Sequence, residues 1–320
     1  MYNENKTLIF KGLSIFFSIF FIFLFIEIYV RSVVDDGLNL DLEMLKYAKS
    51  LKQISNNKSV GIEHKKNIQE KLMNVNIKLN SQGFRNNKDI NFKKKKILML
   101  GDSMTLGWGS NETFSTHLER QINKDIQVLN AGIGNTNTYM QINNFFTNFQ
   151  KYDFDMIILN FFINDFENIE LKKVNFIEKN LYSYTYIKNM IYTILIKFSL
   201  IDNWEKFYKK TFKDENFVNK SLDEITKLND YCRDNNILFV INNIPELRNL
   251  KNYKFFAQTQ IIENFSRKNG IIFIDSYEIL NTHPEETLWV TKEDSHANDK
   301  AHLLISNFLF DKLQHHIDNL

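Results

Sequence analysis

Five short apolar runs set the frame for this chain: Ile97–Leu100, Ile126–Leu129, Met156–Asn160, Ile237–Ile241 and Ile271–Ile274. Between them lie helical patterns at Thr113–Lys124, Tyr139–Phe149, Ser221–Asn235 and Phe255–Lys268, and a last one, Asn298–Leu313, follows the fifth run. On the first of these helices Phe114, Leu118 and Ile122 share one face, with Asn111 or Thr113 as N-cap. Apolar strands that alternate with amphipathic helices predict an α/β fold, a parallel sheet covered on both faces. Such a fold places its chemistry at the carboxyl edge of the sheet. There is no internal repeat.

A second feature precedes the alternation. From Leu8 to Val30 the chain is almost wholly apolar, and Gly12 to Ile26 carries no charge. That length meets the roughly 20 residues needed to cross a bilayer. No small-residue cleavage pattern follows, so the expectation is an uncleaved N-terminal transmembrane helix over residues 1–31. Glu27 and Arg31 are spaced to pair on one helix face, and Tyr29 suits the headgroup belt. Lys6 and Lys11 precede the span, while Asp35 and Asp36 follow it. This bias favours a single-pass protein with its domain on the extracytoplasmic side, periplasmic or cell-surface. Residues 32–79 are polar and partly helical and read as a membrane-proximal stalk, leaving 80–320 for the main domain. The aromatic-rich stretch 166–220 breaks the alternation and reads as a helical insertion near the active site. Lys188 and Lys197 argue against a second span within it.

Composition narrows the function. The 320 residues carry 40 basic and 38 acidic side chains, a net charge of +2, with no basic face that would mark a nucleic-acid partner. Lys93–Lys96 read as a solvated strand entry. The single cysteine, Cys232, excludes an intramolecular disulfide framework and a cysteine zinc site.

The first apolar run ends in Gly101-Asp102-Ser103, which reads either as a nucleophile lifted to the sheet edge or as a solvated turn. Of seven histidines, His296 stands out, on a loop after the last strand with Asp294 two residues before it. His64, His283, His315 and His316 have no special setting, and His117 and His302 read as helix residues. A carboxylate beside an imidazole fixes the tautomer that takes a proton from serine and stabilises the imidazolium that forms. Asn164, directly after the third strand, can donate its amide to an oxyanion. The glycine-bearing loop Asn130–Asn135, after the second strand, can bring backbone N–H groups close to a substrate. Gly132-Ile133-Gly134 also suggests a dinucleotide loop, but the third glycine is missing and the loop follows the second strand.

In this order the residues resemble the GDSL/SGNH serine hydrolases, whose four blocks carry Ser, Gly, Asn and His. Gly101-Asp102-Ser103 is similar to the first block, Asn130–Asn135 to the second, Ile163-Asn164-Asp165 to the third and Asp294-Ser295-His296 to the last. Gly83-Phe84-Arg85, Gly107-Trp108-Gly109 and Pro245-Glu246-Leu247 resemble a membrane-anchored bacterial branch associated with the cell envelope and polysaccharides. The resemblance implies a flavodoxin-like three-layer α/β/α sandwich with five parallel strands. It also implies ester hydrolysis through an acyl-serine, with no cofactor and no metal. Carried onto this sequence, it implies Ser103, His296 and Asp294 as the triad, with Glu293, at the family's usual spacing, as the alternative acid. The implied oxyanion donors are the Ser103 N–H, an N–H among Gly132, Gly134 and Asn135, and the Asn164 side chain. Phe162 stands where the family commonly has glycine. The expected substrate is an acyl, above all acetyl, ester on a small molecule or envelope glycan. Acyl transfer to a glycan, or a non-catalytic glycan-binding or assembly role, are the alternatives. Oligomeric state is left open.

Overall fold

The computed structural model describes residues 2–122, 125–171 and 175–320, with the side chains of residues 2–8 excepted. Asn123 and Lys124, read above as the end of a helix, lie outside the described residues, as does the side chain of Lys6.

The chain opens with helix α1 (Tyr2–Tyr29), which ends in a π-turn at Val30–Val34, and helix α2 (Leu40–Ser50). Two antiparallel ribbons follow: β1 (Lys52–Ile54) with β2 (Ile62–His64), and β3 (Ile68–Leu72) with β4 (Val75–Leu79). Next come β5 (Lys95–Gly101), α3 (Ser103–Leu106), α4 (Phe114–Gln121), β6 (Ile126–Asn130), α5 (Thr138–Asn144) and β7 (Met156–Phe162). Helices α6 (Phe176–Asn180), α7 (Tyr182–Lys197), α8 (Trp204–Thr211) and α9 (Glu215–Asp234) precede β8 (Leu238–Ile244). The chain then forms α10 (Phe256–Lys268), β9 (Ile272–Asp275), α11 (Tyr277–Leu280) and α12 (Asp299–Asp318).

The five expected strands pair in parallel in the order β6-β5-β7-β8-β9. Alternate residues of each strand feed opposite layers. Ile97 and Met99 of β5 pack with Phe114 and Leu118 of α4 and with Ile305, Leu309 and Leu313 of α12. Leu98 and Leu100 pack with Ile142 of α5, Ile225 and Leu228 of α9 and Ile262 of α10. This is why the runs are apolar throughout: both faces of each strand are covered. Each such side chain contributes about 1.5–3 kcal/mol through burial. The result is the expected three-layer sandwich in the flavodoxin-like strand order. Its connections diverge at β5, between β6 and β7, and this switch point opens the crevice where open α/β sheets bind ligands.

The stretch 32–79 differs from the expected stalk. The chain divides into two compact units, Met1–Lys46 with Lys172–Ile201, and Tyr47–Leu171 with Asp202–Leu320. Residues 47–79 therefore belong to the unit that holds the sheet. The reason lies in β3 and β4: Leu72, Val75, Ile77 and Leu79 are buried while the residues between them face out, so a polar average conceals a half-buried ribbon. Within 166–220 the described residues form α6, α7, α8 and the start of α9, with α7 in one unit and α8 in the other.

In the first unit, Ile9–Val34 forms a helix long and apolar enough to cross a membrane, and its side chains are almost all exposed. Arg31 pairs with Glu27 at 2.6 Å. The Glu27 carboxylate also accepts the N–H groups of Tyr182 and Ser183, at 3.1 and 2.8 Å, and the Ser183 hydroxyl at 2.6 Å. Glu27 thus satisfies the first free N–H groups of α7 from a distant part of the chain.

Candidate active site

Strand β5 delivers Ser103 to the carboxyl edge. Gly101 ends the strand at φ +157°, where a Cβ would meet Thr105 Oγ1 at 2.0 Å, so only glycine fits. Asp102 caps the short helix α3, its Oδ1 accepting the Met104 N–H at 2.8 Å. Asp102 therefore braces the turn. Burial pushes its carboxyl up, against the Met104 N–H, the nearby His296 and a hydrogen bond from the Asn164 side chain. The Ser103 N–H makes no hydrogen bond among the described residues.

His296 arrives on the loop before α12. Trp289 bridges Ala297, and the Val290 N–H donates to the His296 carbonyl at 3.0 Å. Within this clasp Thr291 to Asp294 turn tightly, and Asp294 points back at the ring that follows it. Asp294 Oδ1 lies 2.5 Å from His296 Nδ1 and also accepts the His296 backbone N–H at 3.1 Å. His296 Nε2 lies 2.9 Å from Ser103 Oγ. With Nδ1 donating to the carboxylate, Nε2 is the acceptor for the serine proton. Burial lowers the imidazole pKa, but the Asp294 charge and hydrogen bond outweigh it and hold it above its ordinary value. Burial pushes Asp294 up, yet His296 and the N–H donors hold it below the usual carboxylate range. Glu293 is exposed and points to no part of this chain of bonds.

One member escaped the sequence reading. Trp108, fully buried, donates its indole N–H to Asp294 Oδ2 at 3.1 Å. Its glycine-flanked motif carries the resemblance, but no spacing links it to a residue 186 positions away.

The β6 loop separates its N–H groups by their partners. The Gly132 N–H is taken by Asn130 Oδ1 at 3.0 Å and the Gly134 N–H by the Tyr47 hydroxyl at 3.0 Å. Asn135 is exposed, at φ +61°, and its N–H makes no hydrogen bond among the described residues. Asparagine is one of the few non-glycine residues that visit this left-handed region readily. Asn164 follows β7, and its side-chain amide has a second hydrogen beyond the one that Asp102 accepts. Beneath it, Asp165 is buried and accepts the Phe162 N–H at 3.1 Å and the Gln141 amide at 2.9 Å. Burial, joined by the charge of Asp102, raises the Asp165 carboxyl well above its ordinary value. Phe162 ends β7 with its ring 6.5 Å from that of Tyr208 on α8.

No family model matches the chain, and no curated protein matches it. Among solved structures it is similar to the lipase/acylhydrolase from Enterococcus faecalis, at 10% identity and TM-score 0.46, over 69% of this chain and 96% of that one. A catalytic mutant of an acetylxylan esterase from Geobacillus stearothermophilus is similar at 11% identity and TM-score 0.47, over 68% and 94%. A psychrotrophic esterase from a Pseudoalteromonas species is similar at 16% identity and TM-score 0.44, over 70% and 100%.

Proposed function

We propose that the chain is a membrane-anchored serine esterase of the GDSL/SGNH type. The observation that carries this reading is one unbroken line, Asp294 to His296 at 2.5 Å and His296 to Ser103 at 2.9 Å, at the switch point of the sheet. Ser103 Oγ attacks an ester carbonyl as His296 Nε2 takes its proton. Asp294 stabilises the imidazolium. The oxyanion is held by the N–H groups of Ser103 and Asn135 and by the Asn164 amide, the three donors left free by the bonds above. A single such donor is worth about 2.7–4 kcal/mol of barrier. Collapse expels the alcohol, which takes the proton from His296 and leaves acyl-Ser103. His296 then activates water, which releases the acid and restores the serine.

The substrate in this reading is an acetyl or other short acyl ester on an envelope glycan. The span Ile9–Val34 anchors the protein, and the bias of Lys11 against Asp35 and Asp36 supports a catalytic unit outside the cytoplasm.

The test uses the full chain in detergent or nanodiscs. A fluorophosphonate probe labels the wild type and leaves Ser103→Ala unlabelled, and short-chain aryl esters are hydrolysed only by the wild type. Folded wild type that takes no label overturns the reading. Supplying acetylated oligosaccharides with and without a sugar acceptor measures hydrolysis against transfer. A reporter fused after Leu320 that works only in the cytoplasm overturns the topology.

A further inference from the structure

The loop that presents Asn135 is gripped on both sides of one residue by groups that take no part in proton transfer. Gly134 donates its N–H to the Tyr47 hydroxyl at 3.0 Å, and its carbonyl accepts from Lys52 Nζ at 3.1 Å. That carbonyl belongs to the same peptide group as the Asn135 N–H. Behind Tyr47 the proton directions are fixed. His64 Nδ1 donates to the Gly83 carbonyl at 3.1 Å, so Nε2 carries the lone pair and accepts the Tyr47 hydroxyl at 2.7 Å. The Tyr47 oxygen is then turned to accept from Gly134. All of these residues lie within one compact unit.

Lys52 is buried, 4.6 Å above the Tyr47 ring, and forms no salt bridge among the described residues. The titratable groups that face it are Tyr47 from α2 and His64 from β2, and neither supplies a negative charge. A buried cation without a counter-ion is costly. Burial lowers its pKa to about 8. A methionine would fill the same space without that cost but could not donate to the Gly134 carbonyl.

We propose that Lys52 is a positioning residue for the oxyanion site: its ammonium holds and polarises the Gly134–Asn135 peptide so that the Asn135 N–H stays aimed at the developing oxyanion of the ester. Two effects combine. A cation on the carbonyl strengthens the N–H of the same peptide as a donor, the cooperative polarisation of hydrogen bonds in series. It also opposes rotation of a peptide whose next residue sits at φ +61°, a sparsely populated region from which Asn135 would otherwise relax. Tyr47 and His64 secure the other side. The proposal rests on reading Ser103 as nucleophile and the Asn135 N–H as an oxyanion donor.

The experiment compares full-length wild type, Lys52→Met and Ser103→Ala in detergent on an aryl acetate. Lys52→Met keeps its melting temperature within a few degrees, loses about tenfold or more in kcat and changes KM about twofold at most. Its fluorophosphonate labelling slows in step. Wild-type kcat declines as pH rises through about 8, when Lys52 loses its proton, and Lys52→Met lacks that decline. Equal kcat and equal pH profiles in Lys52→Met and an active wild type overturn the role of Lys52 alone. So does a rise in KM at unchanged kcat. A wild type that is neither labelled nor active, like Ser103→Ala, overturns the underlying reading and this proposal with it. Should Lys52→Met not fold, Tyr47→Phe decides: a fall in kcat at constant KM supports the clamp, and wild-type kinetics overturn it.

Discussion

Trp108 donates its indole N–H to Asp294 Oδ2 at 3.1 Å, leaving Oδ1 to His296. The two oxygens of one buried carboxylate are thus divided between a fixed aromatic donor and the base it orients. The expected cost of Trp108→Phe is that of a hydrogen bond to a charged group, about 1.5–3 kcal/mol. We expect kcat/KM for a short-chain ester to fall at least about tenfold, with Ser103 still labelled by fluorophosphonate at a reduced rate. Undiminished kcat/KM would show that Asp294 is held well enough by its loop.

The choice between adjacent acids is sharp. Asp294→Asn removes the partner of His296 Nδ1 and favours the wrong tautomer, a change that costs about 10⁴ in kcat in a comparable triad. Glu293 is exposed, and Glu293→Gln is expected to retain wild-type kcat. Single-turnover rates of the two variants decide the matter, and loss of activity in the second alone would reverse the assignment.

The pH dependence follows from His296. In the proposed mechanism the base works only when neutral, and the pKa of His296 stands above the ordinary imidazole value of 6.5. The rate is therefore expected to rise with pH through a limb above 6.5, and Asp294→Asn should move that limb down. Stability runs the other way. The contribution of a raised imidazole pKa is complete below the unfolded value and is lost as pH rises through the folded one. Asp294, held low, contributes above the ordinary carboxyl pKa, and that contribution is lost as pH falls through its folded value. Urea melts from below pH 3.8 up to pH 9, beside kcat/KM profiles above pH 5, read both signs.

Gly132 has no room for a side chain. A Cβ there would lie 2.2 Å from the Leu106 backbone N, which cannot yield as a side-chain tip can. Gly132→Ala must displace either α3, which carries Ser103, or the loop that carries Asn135. We expect destabilisation of about 1–3 kcal/mol, the usual scale of overpacking, together with loss of activity, measured by thermal melts and ester hydrolysis. In the proposed mechanism only the backbone N–H of Asn135 takes part, so Asn135→Gly, which suits φ +61°, is expected to be tolerated better than Asn135→Val.

The sheet was legible because each strand is a local pattern: Ile97–Leu100 is apolar on both faces and stops at a glycine that nothing else can replace. Ser103 and His296 were legible as the ends of two such patterns, on loops that the topology brings to one edge. Asp294, two residues before His296, was legible as its acid beside the alternative Glu293; the turn from Thr291 to Asp294 that brings it to the ring was not. Nor were Tyr47, Lys52 and His64. Lys52 and His64 lie on strands of three residues, too short for a period to emerge, and Tyr47 lies on helix α2 with nothing local to mark its partners. His64 has no local mark of its role, since its partners are a hydroxyl and a carbonyl 17 and 19 residues away.

Glu27 closes α7 from within the apolar helix α1, and this bears on how the protein can be cut. Removing residues 1–31 deletes the carboxylate that caps Tyr182 and Ser183, and with it Arg31, which donates to the Asn180 carbonyl. Ile191 and Ile194, already exposed in the full chain, then lie on a helix whose first turn has lost its hold. The unit that holds α1 and α7 is thus discontinuous in sequence, and separating it from the rest takes one cut after its first segment and one on each side of its second.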